Sequence, residues 1–583
     1  MTRRRAVGVT ALGAALLVAW LGFRAVQIRG HLESAQATLA GAADSISAAD
    51  VDQLAAKARR AAPELHAARS EANDPIWRLA AAVPIAGRSF ALVRGVTQVT
   101  ARVVDDVVGP AEHAATTVRD GQLLKNGRVD LALLDELRGP LAAADRSAAL
   151  ARRQADALPH RLIPAALLRR RNELVAQVDR LAGGVDAAST ALEIAPSMLG
   201  ADGPRRYLIV VQNPAETRAT GGLIGAYAVI RADRGKLTRE RVGTDSDLRP
   251  ATRPVVDLGT EFARHYDPYQ GRLSWFSATR SPDWPSAAAV LAGLWRAQSG
   301  TAPDGVIGVD PLALSAVLTA TGPIDAGGQT LDAGNIADFV ERDQYAKFAD
   351  PSQPFGQRSD QRKAVLGGLA AAIYDKVASG QGSGTALVKG LATAGRSGHL
   401  QVWSAHAQEQ SQLARAKVGG ALPSTREAFL EVVSQNASGS KLDYYVKRTI
   451  RYVRAPKHRA LARVTLLNTV DAKAVPPFVK ARVDVYGFNP NLSKLALDGT
   501  TTQLLSVYAT GTIERVRIDG REVPAAFGTE RRHGYATLKV VLKPGVPVVV
   551  EFDLAEPGGA LHYRQQPLAH DDVLDIQVPY GVD

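Results

Sequence analysis

The chain of 583 residues has no cysteine and only two methionines. Without cysteine there is no disulfide, no thiolate nucleophile and no cysteine-based zinc site. Several catalytic signatures are missing as well. No Gly-x-Ser-x-Gly elbow, His-Glu-x-x-His helix, P-loop or dinucleotide fingerprint occurs anywhere in it. His265 and His406 stand isolated and mark no catalytic cluster. The net charge is +12, from 70 basic and 58 acidic residues. No arginine or lysine run is interleaved with aromatics, so no nucleic-acid partner is expected.

Long uncharged runs are absent too, with one exception. Arg3, Arg4 and Arg5 are followed by an uncharged stretch from Ala6 to Phe23, closed by Arg24. At about 1.5 Å per helical residue it covers about 27 Å, close to a bilayer's hydrocarbon thickness. No small-x-small cleavage site follows it, which favours an anchor over a cleaved signal peptide. The arginine cluster would stay in the cytoplasm and Trp20 would sit at the outer interface. The expectation is a single-pass protein of the cell membrane, its N-terminus cytoplasmic and its bulk extracellular. Anionic partners in that compartment are lipid head groups, polyprenyl phosphates and wall polymers.

What is present falls into three textures. Up to about Ala195 the chain is alanine-rich with helical spacing. Val51, Leu54, Ala58, Ala61, Leu65 and Ala68 repeat at three and four residues, and Leu92, Val96, Val99, Val103 and Val107 share a face. A break is expected near Gly139-Pro140. Small core residues let helices approach closely but bury little area, so the stalk is expected to depend on a partner or on self-association. From Arg205 to Leu422, strand and helix signals alternate, which argues an α/β domain. Tyr207–Gln212 reads as a strand, Arg218–Ile230 as a glycine-rich turn into a second strand, and Trp284–Gln298 and Asn335–Phe348 as helices. Beyond Ala428, short alternating strands are separated by Asp498-Gly499, Asp519-Gly520 and Pro544-Gly545, as in a β-sandwich.

The fold expected is therefore multidomain α+β. A cytoplasmic tail at 1–5 and a transmembrane helix at 6–23 lead into an alanine-rich helical bundle or stalk at 26–199. A central α/β domain follows at 200–425 and a β-sandwich at 426–583.

The segment QNPAETRATGGLIGAYAVI at 212–230 resembles the signature of a bacterial family, the domain of unknown function 4012. The blocks at 74–88, 277–288, 303–324 and 358–366 support that resemblance. The order of elements from Arg218 to Leu366 is also similar to the LytR–CpsA–Psr family. Those are membrane-anchored α/β proteins that transfer polyprenyl-pyrophosphate-linked glycopolymers to the cell wall. That similarity implies an early active-site arginine at Arg218, a substrate-facing arginine at Arg280, and an arginine pair at Arg358 and Arg362. The family's acidic partner is missing after Arg218, where Ala219 and Thr220 follow.

The residues can be weighed on their own chemistry. Arg218 stands beside Gly221 and Gly222, where the backbone permits close approach of an anion. Arg280 precedes a helix start, which favours anions. Arg358 and Arg362 are one helical turn apart. Asp245 and Asp247 are the candidate ligands for Mg2+. The functional expectation is a protein of cell-envelope or exopolysaccharide assembly that binds an anionic lipid-linked or glycan ligand. The ligand would be polyprenyl-phosphate-linked or a cell-wall glycan. The alternative is a LytR–CpsA–Psr-like phosphotransferase, with Arg218 catalytic, Arg280, Arg358 and Arg362 on the phosphates, and Asp245 and Asp247 on the metal.

Overall fold

The structure is a computed structural model. It describes residues 2–39, 51–120, 123–350, 353, 355–487, 497–555 and 557–577. The chain divides into two compact units, Met1–Leu123 with Asp130–Pro196, and Leu124–Val129 with Ser197–Asp583.

The first unit is built from helices. They run over Thr2–Thr38, Val51–Ala72, Pro75–Ala82, Arg88–Arg102, Gly109–Asp120, Leu131–Asp156 and, in large part, Ala165–Met198. Their starts are chemically marked. Asp74 accepts hydrogen bonds from the Ile76 and Trp77 amides, with Pro75 at the first helical position. Asp130 does the same for Ala132 and Leu133. The alanine spacing becomes the contact stripe: Ala55, Ala58, Ala61, Leu65 and Ala68 are all buried. The break expected at Gly139-Pro140 does not occur, and one helix runs from Leu131 to Asp156. Proline removes one backbone bond, but Leu137 and Ala144 are buried on either side and hold the helix together.

The expected transmembrane helix is overturned. Among the described residues no helix is long and apolar enough to cross a membrane. Side chains of the run 6–23 are described from Leu16 onward. The helix does not end at Phe23 but continues through Arg24, Arg29 and Glu33 to Thr38. Its later part packs within the unit, with Ile28 buried alongside Ala68, Ala72 and Trp77. Trp20 donates to Asp74, and Arg24 lies 3.6 Å from both Glu71 and Asp74. Those polar ties belong to a packed bundle helix. The single-pass membrane location inferred from the run is corrected with it.

In the second unit the strands are β1 (Leu124–Lys125), β2 (Arg128–Val129), β3 (Arg205–Arg218), β4 (Gly221–Asp233), β5 (Lys236–Thr244), β6 (Gly305–Val309), β7 (Ile324–Ala326), β8 (Gln329–Leu331) and β9 (Leu400–Ser404). Seven of them form one sheet in the order β1-β2-β5-β4-β3-β6-β9. Only β3 and β6 run parallel; the other pairs are antiparallel. The α/β domain read from alternating signals is thus corrected to a mixed α+β arrangement. Short-range alternation cannot distinguish a crossover from a hairpin, and here β3, β4 and β5 are consecutive hairpins. The helix Trp284–Ser299 covers one face, with Trp284, Val290, Leu291 and Leu294 buried against Leu208, Val210 and Val306. The helix expected over Asn335–Phe348 runs over Ile336–Lys347 and contains a π-helical turn at Phe339–Asp343.

The chain continues within the same unit, and the boundary expected near 425 falls inside it. Here lie β10 (Phe429–Asn436), β11 (Val446–Ala455), β12 (Arg459–Asn468), β13 (Thr501–Ala509), β14 (Thr512–Ile518), β15 (Arg521–Glu522), β16 (Ala526–Glu530), β17 (His533–Leu542), β18 (Val548–Ala555), β19 (His562–Arg564) and β20 (Val573–Gln577). They form a five-stranded sheet, β16-β17-β13-β10-β19, and a six-stranded sheet, β15-β14-β18-β12-β11-β20. The two share a core of Leu430, Val432, Leu505 and Val507 from one and Ile450, Val464, Val550 and Phe552 from the other. Strand β10 is buried at every position. Leu430 and Val432 face that core, while Phe429 and Val433 pack on Ala219 and Leu422 of the preceding sheet region.

Candidate functional site

Strands β3 and β4 form a hairpin in which Arg218 pairs with Gly221. A Cβ at Gly222 would come within 2.0 Å of the Asn213 carbonyl oxygen, so the hairpin mouth closes only with glycine there. This turn, the loop Ser277–Trp284 and strand β10 meet in a buried polar seam. Thr220 donates to Gln212 at 2.9 Å, Gln401 donates to the Thr220 carbonyl at 2.8 Å, and Thr279 donates to the Gly222 carbonyl at 3.1 Å.

Arg218 is spent largely on backbone. Its Nε donates to the Phe276 carbonyl at 3.2 Å, and its Nη1 donates to the carbonyls of Thr217 at 3.0 Å and Asn436 at 3.1 Å. It ties its own strand to two distant segments, at Phe276 and Asn436. Arg280 is different. Its guanidinium lies 4.6 Å above the Tyr269 ring, and Nη1 makes a long 3.4 Å bond to Gln435. Its Nε is buried and has no hydrogen-bond partner among the described residues. Burial and then the Arg218 charge push the Arg280 guanidinium down to about 9, so it stays charged at neutral pH. Among the described residues neither arginine is ion-paired to a carboxylate. His265 borders the pair, and burial followed by the Arg280 charge lowers it to about 4, leaving it neutral. Tyr269 and Phe276, at 41% and 52% exposure, form an aromatic rim beside the two arginines.

Two buried carboxyls brace the seam. Glu530 accepts from Tyr266 at 2.6 Å, Tyr508 at 3.2 Å and Ser281 at 2.5 Å; burial raises it to about 7. Asp443 accepts from the Thr217 amide at 2.8 Å, Asn436 at 2.8 Å and Gln503 at 2.5 Å. Burial raises it to about 6 against those bonds. Asp283 caps the helix at Ser286, accepts from the Leu422 amide at 3.0 Å and pairs with Arg531 at 3.1 Å.

Arg218 and Arg280 are thus brought within each other's field. Arg362 stands apart, 5.5 Å over the Tyr345 ring, and Arg358 donates to the Ala349 carbonyl at 3.3 Å. Among the described residues no hydrogen bond or ion pair joins either to the first two. Asp245 pairs with Lys363 at 3.1 Å, and Asp247 accepts from the Thr244 amide at 2.9 Å. The lysine ammonium already supplies the positive charge at Asp245, so the pair does not fit a metal ion as arranged. Among the described residues no group of three or more His, Asp or Glu side chains is placed to hold one.

Sequence reasoning missed Asp283, Glu530, Asp443 and Gln566, which donates to the Arg218 carbonyl at 3.0 Å. Asp283 carried a signal, since Asp-Trp-Pro reads as a helix cap with proline in the first turn. The others lie far along the chain, and no local pattern marks them.

No curated protein and no solved structure matches the chain, and the resemblance to the LytR–CpsA–Psr family is not shown. A family model does match, over residues 202–345, which contain Arg218, Arg280 and the whole Ser277–Trp284 loop. The model is that of the family described as Protein of unknown function (DUF4012), and the segment matches it.

Proposed function

We propose that the chain binds an anionic, phosphate-bearing glycan, polyprenyl-linked or part of a wall polymer, in cell-envelope or exopolysaccharide assembly. The observation that supports this is Arg280, a half-buried guanidinium that, among the described residues, no carboxylate neutralises and whose Nε has no hydrogen-bond partner. A desolvated cation is costly unless paired, and a phosphate would supply both the charge and the acceptors. Arg218 adds a second positive charge but spends its donors on the backbone, which suits a positioning role. Tyr269 and Phe276 would receive the apolar face of a sugar or the first prenyl carbons. No step is routed through Mg2+.

Isothermal titration of the full chain with farnesyl phosphate, glucose 1-phosphate and inorganic pyrophosphate tests the reading. Arg280→Ala should weaken binding roughly tenfold or more, and Arg280→Lys should restore part of it. Wild-type protein that binds none of the three, or an Arg280→Ala variant that binds unchanged, would refute it. Release of pyrophosphate from a prenyl pyrophosphate would instead favour the phosphotransferase alternative.

A further inference from the structure

Behind the Arg218 hairpin lies a buried carboxyl, Asp443. Among the described residues no hydrogen bond or ion pair joins it to Arg218 or Arg280. It accepts on Oδ2 from the Thr217 amide and from the Asn436 side chain, both at 2.8 Å. Those are the same two residues whose carbonyls receive Nη1 of Arg218. One negative charge therefore gathers the donors of two segments while their carbonyls hold one positive charge. The two charges lie in each other's field.

The other side of Asp443 suits two protonation states. Gln503 donates from Nε2 to Oδ1 at 2.5 Å, and its Oε1 is buried with no hydrogen-bond partner. Turning the amide over presents Oε1 to Oδ1, where a protonated carboxyl donates to it. The turn gives up no bond at the far end of the amide. Asp443 and Gln503 line a cavity of about 10 Å³ with Thr217, Ser434 and Arg448. That is room for a single water, which can serve either end of the amide. His570 lines the same cavity and is exposed, which gives a proton a route from solvent. The charges around Asp443 come from Glu216 and Arg218 of β3, Arg448 of β11 and His570 of the loop before β20. Glu216 is held by Lys441 at 2.8 Å, and Arg448 by Asp572 at 2.6 Å. Strands β10 and β13 face it with the amides of Asn436 and Gln503.

Resting on the reading of the seam as an anion site, we propose that Asp443 is its proton-linked positioning residue. Ionised, it sets Arg218 and offsets its charge; protonated, it leaves that charge free for an oxyanion. Burial, opposed by the Asn436, Thr217 and Gln503 bonds and by the Arg218 charge, raises this carboxyl to about 6. The protonated form therefore dominates below that pH. An anion in the seam opposes ionisation of Asp443, and by reciprocity protonation of Asp443 favours the anion.

The test is isothermal titration of the full chain with inorganic sulfate, which stays a dianion between pH 5 and pH 8, whereas a phosphate monoester itself titrates near pH 6. Wild type should bind roughly three- to tenfold more weakly at pH 8 than at pH 5. Asp443→Asn copies the protonated state, because its oxygen still accepts from Thr217 and Asn436 and its amide donates to the turned Gln503. It should bind at pH 8 as tightly as wild type does at pH 5, which a purely structural role would not give. Glu530 also titrates in this range, so Glu530→Gln is the control and should keep the dependence. Wild type titrated at about pH 6 in two buffers of different ionisation enthalpy should take up protons on binding; that measurement needs no variant to fold. Sulfate binding without pH dependence or proton uptake would overturn the inference. So would a folded Asp443→Asn variant that keeps the wild-type dependence or binds weakly at both pH values. No sulfate binding at any pH would instead overturn the anion reading of the seam.

Discussion

Glu530 offers the sharpest check on the seam. Its carboxyl sits between Tyr266, Tyr508 and Ser281 and joins strand β16 to the Ser277–Trp284 loop. Burial raises it from an ordinary value near 4.5 to about 7. Because the folded value lies above the unfolded one, its contribution to stability is fully present below about pH 4.5 and is lost as pH rises through 7. Between pH 5 and pH 8 the loss amounts to roughly 2–3 kcal/mol. Glu530→Gln keeps an acceptor for the tyrosines, and the Ser281 hydroxyl can turn to accept from the new amide. It removes the titration. Denaturant unfolding of wild type and variant at both pH values isolates this group, since all others cancel in the difference. The wild type should lose roughly 2–3 kcal/mol more than the variant on going to pH 8. Equal losses, or a wild type that gains on the variant as pH rises, would refute the buried, raised carboxyl and the closed seam around it.

Other outcomes follow from the same geometry. Arg218→Ala removes the donors to three backbone carbonyls and should destabilise by roughly 2–4 kcal/mol. Arg280→Ala should stay within roughly 1 kcal/mol of wild type in the same denaturant assay, because it gives up mainly a long bond. Asp572→Ala strands Arg448, whose guanidinium grips that carboxylate at 2.6 and 2.7 Å in a fully buried pair; a loss of roughly 3–5 kcal/mol by denaturant unfolding is expected. Gly222→Ala should cost roughly 3 kcal/mol in that assay, since the new methyl meets the Asn213 carbonyl.

The sequence by itself determined the elements whose causes are local. The three- and four-residue alanine spacing specified which face of the Val51–Ala72 helix is buried. Aspartates at 74, 130 and 283 cap helix starts for a local reason, since a short carboxylate reaches the next free amides, although Asp283 was missed from the sequence. The Arg218-Ala-Thr-Gly-Gly turn was legible as a hairpin mouth, and the signature around it identified the family segment. Tertiary structure decided the rest. An uncharged run measured only by length reads as a membrane span, but the same helix carries Trp20 and Arg24 onto Asp74 and Glu71, which are distant in sequence. Alternating strand and helix signals suggested an α/β domain, whereas pairing direction is set by which strands meet, and in the seven-stranded sheet only β3 and β6 pair in parallel. The arginines could be named from sequence but not sorted. Arg218 became a clasp and Arg280 an unneutralised cation because β10, more than 150 residues further on, supplies Asn436 to the first and Gln435 to the second. Those contacts exist only once the two sheets pack, and no periodicity in a single segment encodes them.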